Sequence, residues 1–139
     1  MAEDADPRFS TLTKARKQAL DILFQADMRE LPIDEALAEQ QTYAEAVFRP
    51  LTTEIVVGVS ENLDELDRVI ASSSSWTIDR MPRVDRCLAR MGVFEMLHTE
   101  TPDSVVISEI VELASWLSTD SSPSFLNGLL AQVSTDNAK

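Results

Sequence analysis

The chain has 139 residues, with 24 acidic and 12 basic side chains and a formal net charge of −12 at pH 7. This length favours one domain with a sizeable core. So acidic a balance argues against a generic nucleic-acid binder, a class that usually has a basic domain. The one cysteine, Cys87, excludes an internal disulfide and fits a reducing compartment. The acidic start MAEDADPRF is unlike a targeting peptide, and no apolar run could span a bilayer. We therefore expect a cytoplasmic protein without membrane contact.

Apolar residues recur at helical spacing along most of the chain, and prolines separate or begin the periodic segments. The segments EIVVGV and SVVIS are rich in β-branched residues, but each lies in or beside a longer helical stripe, so periodicity predicts helix there too. We predict an all-α fold of six or seven helices with no internal repeat. The predicted helices cover about residues 13–29, 33–47, 50–72, 82–98, 105–118 and 122–133, and the serine-rich connector ASSSSW covers residues 71–76.

The segment SPSFLNGLLAQV, residues 122–133, contains Asn-Gly, which is a hairpin signal in other contexts. Its apolar residues follow a helical face rather than an alternating pattern, and Ser122 with Pro123 is a good helix start. We therefore predict a helix. Because Gly128 weakens a helix by about 1 kcal/mol relative to alanine, we expect it at a close helix contact, with Asn127 hydrogen-bonded to a neighbouring segment. The same close-packing role is expected of Gly58 and Gly92.

Residues with catalytic or metal-binding chemistry are scarce. With one histidine, His98, and one cysteine, no zinc-type ligand set can be formed, and no glycine-rich phosphate loop occurs. Cys87 is predicted to face the core and His98 to end a helix. The acidic string ENLDELD, residues 61–67, is typical of a solvated helix face. We predict no enzyme, metal or cofactor.

Eight of the twelve basic residues form two clusters. The first lies at the start of the first predicted helix and suits phosphate contacts, although an ordinary solvated surface is an equal alternative. The second follows one side of a later helix, where interleaved Asp79 and Asp85 favour internal ion pairs. The first cluster comprises Arg8, Lys14, Arg16 and Lys17, and the second comprises Arg80, Arg83, Arg86 and Arg90.

Three sequence blocks resemble the C-terminal half of the NusB family of transcription antitermination factors. They are WTIDRMPRVDRCLARMGVFEML, PDSVVISEIVELAS and SFLNGLLAQV, in matching order and spacing. With ARKQALDILFQAD as an N-terminal block, the resemblance covers about residues 12–134. It implies two antiparallel three-helix bundles packed lengthwise in a single NusB-like domain. We place the first bundle at about 10–72, the connector at about 72–76 and the second bundle at about 77–134.

The resemblance also implies a function and partners. It implies an antitermination adaptor that binds the boxA segment of ribosomal RNA leader transcripts together with NusE, ribosomal protein S10. The complex would join RNA polymerase and support processive ribosomal RNA transcription. Family members are monomers or homodimers, and the sequence leaves both states open.

The resemblance implies site residues at the positions that match the family's motifs. This sequence departs from those motifs at Ser115, where the family has lysine, and at Ala89, where leucine is usual. The partner-binding positions implied are Phe24, Asp85 and Arg86. The RNA-binding positions implied are Arg8, Lys14, Arg16, Lys17, Ser121, Ser124 and Phe125.

Two other functions compete with this interpretation. One is a NusB-like domain of an RNA methyltransferase, which would continue into a domain that binds the methyl donor. The other is a helical protein-binding scaffold without RNA contact, which the net charge of −12 favours.

Overall fold

The computed structural model describes residues 10–43 and 48–138, and this part of the chain is all-helical. It contains seven α-helices, one short 3₁₀ turn and no strand, as the periodicity predicted. EIVVGV and SVVIS are both helical. The helices are α1 (Thr11–Met28), α2 (Ile33–Tyr43), α3 (Pro50–Glu61), α4 (Leu63–Ser73), α5 (Arg83–His98), α6 (Asp103–Leu117) and α7 (Ser122–Asp136), with the 3₁₀ turn at Ile78–Arg80.

Local sequence signals explain most helix ends. The Ser10 hydroxyl accepts a hydrogen bond of 3.1 Å from the Thr13 amide and caps α1. Proline lies at the first turn or the N-cap of α3, α5, α6 and α7. α1 ends where Glu30 takes a left-handed backbone conformation, with φ 54°, and the Leu31 amide bonds the Ala26 carbonyl at 2.9 Å.

The predicted third helix is two helices. α3 and α4 meet at Asn62, whose side-chain amide donates to the Gly58 carbonyl at 2.7 Å. The Asn62 carbonyl then accepts from the Leu66 amide at 2.9 Å and begins α4. The apolar stripe continues across this junction, so the sequence pattern did not reveal it.

α5 is the central helix of the molecule. It packs against α1, α3, α4, α6 and α7, and residues 91–96 are all buried. One apolar core runs through both the N-terminal and the C-terminal helices. None of the helices in the described ranges is both long and apolar enough to cross a membrane.

Two glycines permit close packing at α5. A Cβ at Gly58 would lie 2.1 Å from ring carbons of Phe94, and one at Gly92 would lie 3.0 Å from a methyl of Leu130. The prediction of close packing is therefore confirmed at these two positions. It is wrong at Gly128, where an added Cβ would meet nothing within 4 Å. Asn127 is also exposed and makes no side-chain hydrogen bond with the described residues, so its predicted bond is wrong.

Candidate functional site

The N-terminal basic cluster divides into buried and accessible members. Arg16 is 2% exposed. Its Nε and Nη2 donate to the two carboxylate oxygens of Glu95, each at 2.8 Å, and its Nη1 donates to Glu109 at 3.2 Å. Because the whole guanidinium is enclosed and paired, the structure contradicts a direct phosphate contact by Arg16. Arg8 lies outside the described residues.

The environment of Arg16 keeps it charged. Burial by itself would lower the pKa of the guanidinium, but the hydrogen bond to Glu95 and the charges of Glu95 and Glu109 together outweigh burial, and the pKa is raised. Glu109 also accepts from the Thr13 hydroxyl at 3.0 Å. The resulting network joins α1 to α5 and α6, so Arg16 has a structural role.

The two lysines of this cluster lie beside Arg16 on α1. Lys14 is half-buried. Lys17 is ion-paired with Asp21 at 3.1 Å, one helical turn away, and its side chain is 13% exposed. Both side chains are more exposed than that of Arg16, so they remain candidates for phosphate contact.

A second group lies at the start of α7. Ser121 and Ser124 are exposed, and Phe125 is half-buried against the core. The Phe125 ring lies 5.8 Å from the ring of Trp76, with the planes tilted by 37°. Trp76 is 53% exposed, so the pair presents an aromatic surface to solvent.

Trp76 was missed in the sequence because it lies in the serine-rich connector. The available signal was an isolated tryptophan in a polar loop, a position where an aromatic side chain has no core to fill. Its proximity to Phe125, 49 positions along the chain, is visible only in the folded structure.

Of the three predicted partner-binding residues, Asp85 is not accessible. It is 3% exposed and accepts hydrogen bonds from the Ser118 and Ser122 hydroxyls at 2.5 and 2.9 Å. These bonds hold the first turn of α5 against the loop between α6 and α7. The prediction that Asp85 contacts a partner is therefore contradicted by its burial. Phe24 is half-buried on α1 and keeps part of its ring at the surface.

Three of the four arginines in the second basic cluster form internal ion pairs, as predicted, but with other carboxylates than Asp79 and Asp85. Arg80 is exposed on the 3₁₀ turn. Three arginines of α5 surround Asp27 of α1. Its carboxylate lies 3.0 Å from Arg83 Nη1, 3.6 Å from Arg86 Nε and 3.8 Å from Arg90 Nη1.

Arg90 has a second carboxylate partner. It donates to both oxygens of Asp67 on α4, at 2.8 and 3.0 Å. Burial by itself would lower the pKa of Arg90, but the hydrogen bond to Asp67 and the charges of nearby groups, Asp67 and Asp27 among them, together outweigh burial and raise the pKa. Asp67 therefore belongs to a helix contact rather than to the solvated face predicted for residues 61–67.

The surroundings of Cys87 and His98, the two side chains with potential catalytic chemistry, indicate structural roles. Cys87 is buried, as predicted, and burial raises the pKa of its thiol to about 12, so it is a poor nucleophile at neutral pH. His98 is the last residue of α5, also as predicted, and its Nε2 lies 2.6 Å from Glu65. Within residues 10–43 and 48–138, no group of three or more histidine, cysteine or carboxylate side chains could hold a metal ion.

Comparisons with known proteins agree on one family. The model of the NusB family matches residues 13–135. Transcription antitermination protein NusB of Cutibacterium acnes is 50% identical over 96% of this chain, although the chain spans only 51% of that relative's length. The protein of the same name from Salinispora arenicola is 49% identical over 86% of this chain and 92% of its own length.

Solved structures show the same fold. NusB of T. maritima superposes with a TM-score of 0.78 at 26% identity, over 94% of this chain and 95% of the other. A structure of antitermination factors NusB and NusE in complex with double-stranded RNA gives the same TM-score at 23% identity, over 89% of this chain and 96% of the other.

Proposed function

The chain belongs to the NusB family, and we propose that it is a transcription antitermination adaptor. It would bind the boxA segment of ribosomal RNA leader transcripts together with NusE, ribosomal protein S10, and act in the RNA polymerase antitermination complex. Relatives matched over about nine-tenths of their length are named antitermination proteins, not enzymes, which supports the adaptor over the RNA methyltransferase.

The observation that carries RNA binding is the exposed aromatic surface formed by Trp76 and Phe125. Unpaired bases stack on aromatic rings, and stacking is worth about 1–3 kcal/mol per base. Exposed hydroxyls of Ser121 and Ser124 at the start of the same helix can bond phosphate or ribose. Stacking suits an acidic protein because it does not require a large basic patch.

Lys14 and Lys17 supply the phosphate contacts in this proposal, with Arg8 upstream. Arg16 holds the helix that carries them but does not touch RNA. With so few cations, the chain by itself would bind RNA weakly. A basic partner beside the RNA would add to the binding and steepen its dependence on salt.

The proposed partner surface keeps Phe24 and Arg86 and omits the buried Asp85. Phe24 on α1 and Arg86 on α5 lie on two helices that pack directly against each other. An aromatic ring and an arginine are side chains enriched at the energetic centres of interfaces.

A gel-shift titration with boxA-containing RNA against a scrambled RNA, with and without NusE, tests this function. Trp76→Ala and Phe125→Ala should each weaken boxA binding by about 5- to 150-fold, which corresponds to 1–3 kcal/mol. Tyr43→Ala is the matched control, since Tyr43 is 81% exposed on α2, and it should bind as the parent chain does.

The alternative scaffold without RNA contact predicts a different pattern. The chain would bind NusE but show equal affinity for the boxA and the scrambled RNA, and both aromatic variants would be silent. That result would overturn the RNA-binding part of the proposal.

A further inference from the structure

The buried carboxylate of Asp85 is bonded to a distant part of the chain. Asp85 lies in the first turn of α5 and is 3% exposed. One of its oxygens accepts from the Ser118 hydroxyl at 2.5 Å, and the other accepts from the Ser122 hydroxyl at 2.9 Å. Ser118 follows the last residue of α6, and Ser122 is the first residue of α7. The carboxylate therefore links the start of α5 to both ends of the segment between α6 and α7.

The chemistry of Asp85 fixes the direction of the hydrogen bonds in this segment. An ionised carboxylate only accepts hydrogen bonds, so both serine hydroxyls donate to it. The Ser122 oxygen is then free to accept, and it lies 3.2 Å from the Thr119 amide and 2.7 Å from the Thr119 hydroxyl oxygen. The Thr119 hydroxyl oxygen also lies 3.3 Å from that of Ser121. One buried carboxylate thereby orients the hydroxyls of the whole segment.

The first turn of α7 has no local side-chain cap. Ser121 is the N-cap residue, but its side chain accepts no hydrogen bond from the helix. Because side-chain caps normally hold the first turn of a helix, the contact between Ser122 and Asp85 holds this turn instead. The turn carries Ser124 and closes with the bond from the Phe125 amide to the Ser121 carbonyl at 3.1 Å. A buried contact thus places the exposed residues of the proposed RNA surface.

We propose that Asp85 is a positioning residue for RNA binding. It does not touch RNA, because it is enclosed, but it fixes the turn that presents Ser121, Ser124 and Phe125. This inference rests on the RNA-binding function proposed above. A loosened turn would have to be ordered when RNA binds, and that ordering costs affinity.

Asp85→Asn tests the proposal because positioning and simple charge effects predict opposite results. Asparagine has nearly the same shape, but its NH₂ group is a donor and cannot accept from the second serine hydroxyl. The turn should loosen, and boxA affinity should fall by roughly tenfold. If Asp85 acted only through its charge, the removal of a negative charge would strengthen RNA binding instead.

The chain contains a matched control at the opposite end of α7. The Ser134 hydroxyl donates to the Asp103 carboxylate at 2.7 Å, and this contact joins α7 to the first residue of α6. Asp103→Asn therefore removes the same charge and disturbs the same kind of contact, but away from the turn that begins α7. It should bind boxA RNA within about twofold of the parent, since it leaves the RNA surface ordered.

Affinities are measured by fluorescence anisotropy with labelled boxA and scrambled RNA. The temperature is chosen so that circular dichroism shows the parent helix content in every variant. Ser122→Ala removes the Asp85 contact from the α7 side without a change of charge. It should also weaken boxA binding, and it supplies the test if Asp85→Asn does not fold.

A second measurement follows the turn in the absence of RNA. The sequence has two tryptophans, so in a Trp116→Phe background the emission comes from Trp76, whose ring lies 5.8 Å from that of Phe125. Asp85→Asn should increase the quenching of this emission by acrylamide, because a loosened turn covers the indole less well. Asp103→Asn should leave the quenching unchanged.

Several results would overturn the proposal. They are boxA binding by folded Asp85→Asn that equals or exceeds that of the parent, an equal loss of affinity in Asp103→Asn, and unchanged quenching of Trp76 in Asp85→Asn. A parent chain that binds boxA and scrambled RNA equally would overturn the proposed function and this inference together, which distinguishes that failure from the others.

Discussion

The ion pair of Arg16 and Glu95 allows a sharp prediction about the unfolding free energy, because both side chains are enclosed. Their side chains are 3% and 0% exposed, and two hydrogen bonds of 2.8 Å join them. Arg16→Met keeps much of the packed stem but leaves the Glu95 carboxylate buried without its partner. Breaking a buried pair from one side costs about 3–5 kcal/mol of unfolding free energy.

Removing both charges should cost much less. In the double variant Arg16→Met with Glu95→Leu, no ion is left uncompensated, and replacement of a buried pair by apolar residues is often neutral or stabilising. The two variants and Glu95→Leu complete a double-mutant cycle. Urea unfolding followed by circular dichroism, with the midpoint and slope compared across the set, supplies the measurement.

The chain contains a matched control pair at its surface. Arg29 and Glu39 are also joined by two hydrogen bonds, at 2.7 and 3.3 Å, but both side chains are exposed. Exposed pairs contribute little, so Arg29→Met should leave the urea midpoint nearly unchanged. An Arg16→Met urea midpoint as close to the parent value as that of Arg29→Met would contradict this prediction. Loss of RNA affinity by a double variant that keeps the parent stability and helix content would show that Arg16 contacts RNA directly.

Other variants test the glycine packing, the buried carboxylate of Asp85, the RNA surface and the buried thiol. Gly128→Ala should raise the unfolding free energy by up to about 1 kcal/mol because its site is open. Gly58→Ala should lower it by about 1–3 kcal/mol, because the added methyl clashes with the adjacent aromatic ring. Thermal melts of both variants supply the measurement. Asp85→Ala should lower it by about 1–3 kcal/mol through two lost hydroxyl bonds, and calorimetry should show unchanged partner affinity. Lys14→Ala should flatten the salt dependence of RNA affinity by roughly 0.7 per lost phosphate contact, and a parent-like slope would remove Lys14 from the RNA surface. The folded Cys87 thiol, with its pKa raised to about 12, should resist thiol reagents at pH 8. Because the thiol ionises at lower pH in the unfolded chain, its contribution to stability should fall as the pH rises above 9. Cys87→Ala should lack that decline.

The helical character of this protein and most of its helix starts can be predicted from the amino-acid sequence. Prolines and capping residues act on the backbone within a few positions, so their effects can be read locally. Helical periodicity likewise identified the apolar faces and overruled the β-branched segments. The matching blocks pointed to the NusB family, which the comparisons confirmed.

Which charged and polar residues are available at the surface depends on how the helices pack. Arg16 and Lys14 lie two positions apart, yet Arg16 is enclosed because Glu95, 79 positions away, meets it across the core. Asp85 is buried for the same kind of reason, since hydroxyls from the segment between α6 and α7 reach it. Periodicity reports the apolar face of a single helix. The partner of a charge at the edge of that face comes from another helix, and helix packing places it there.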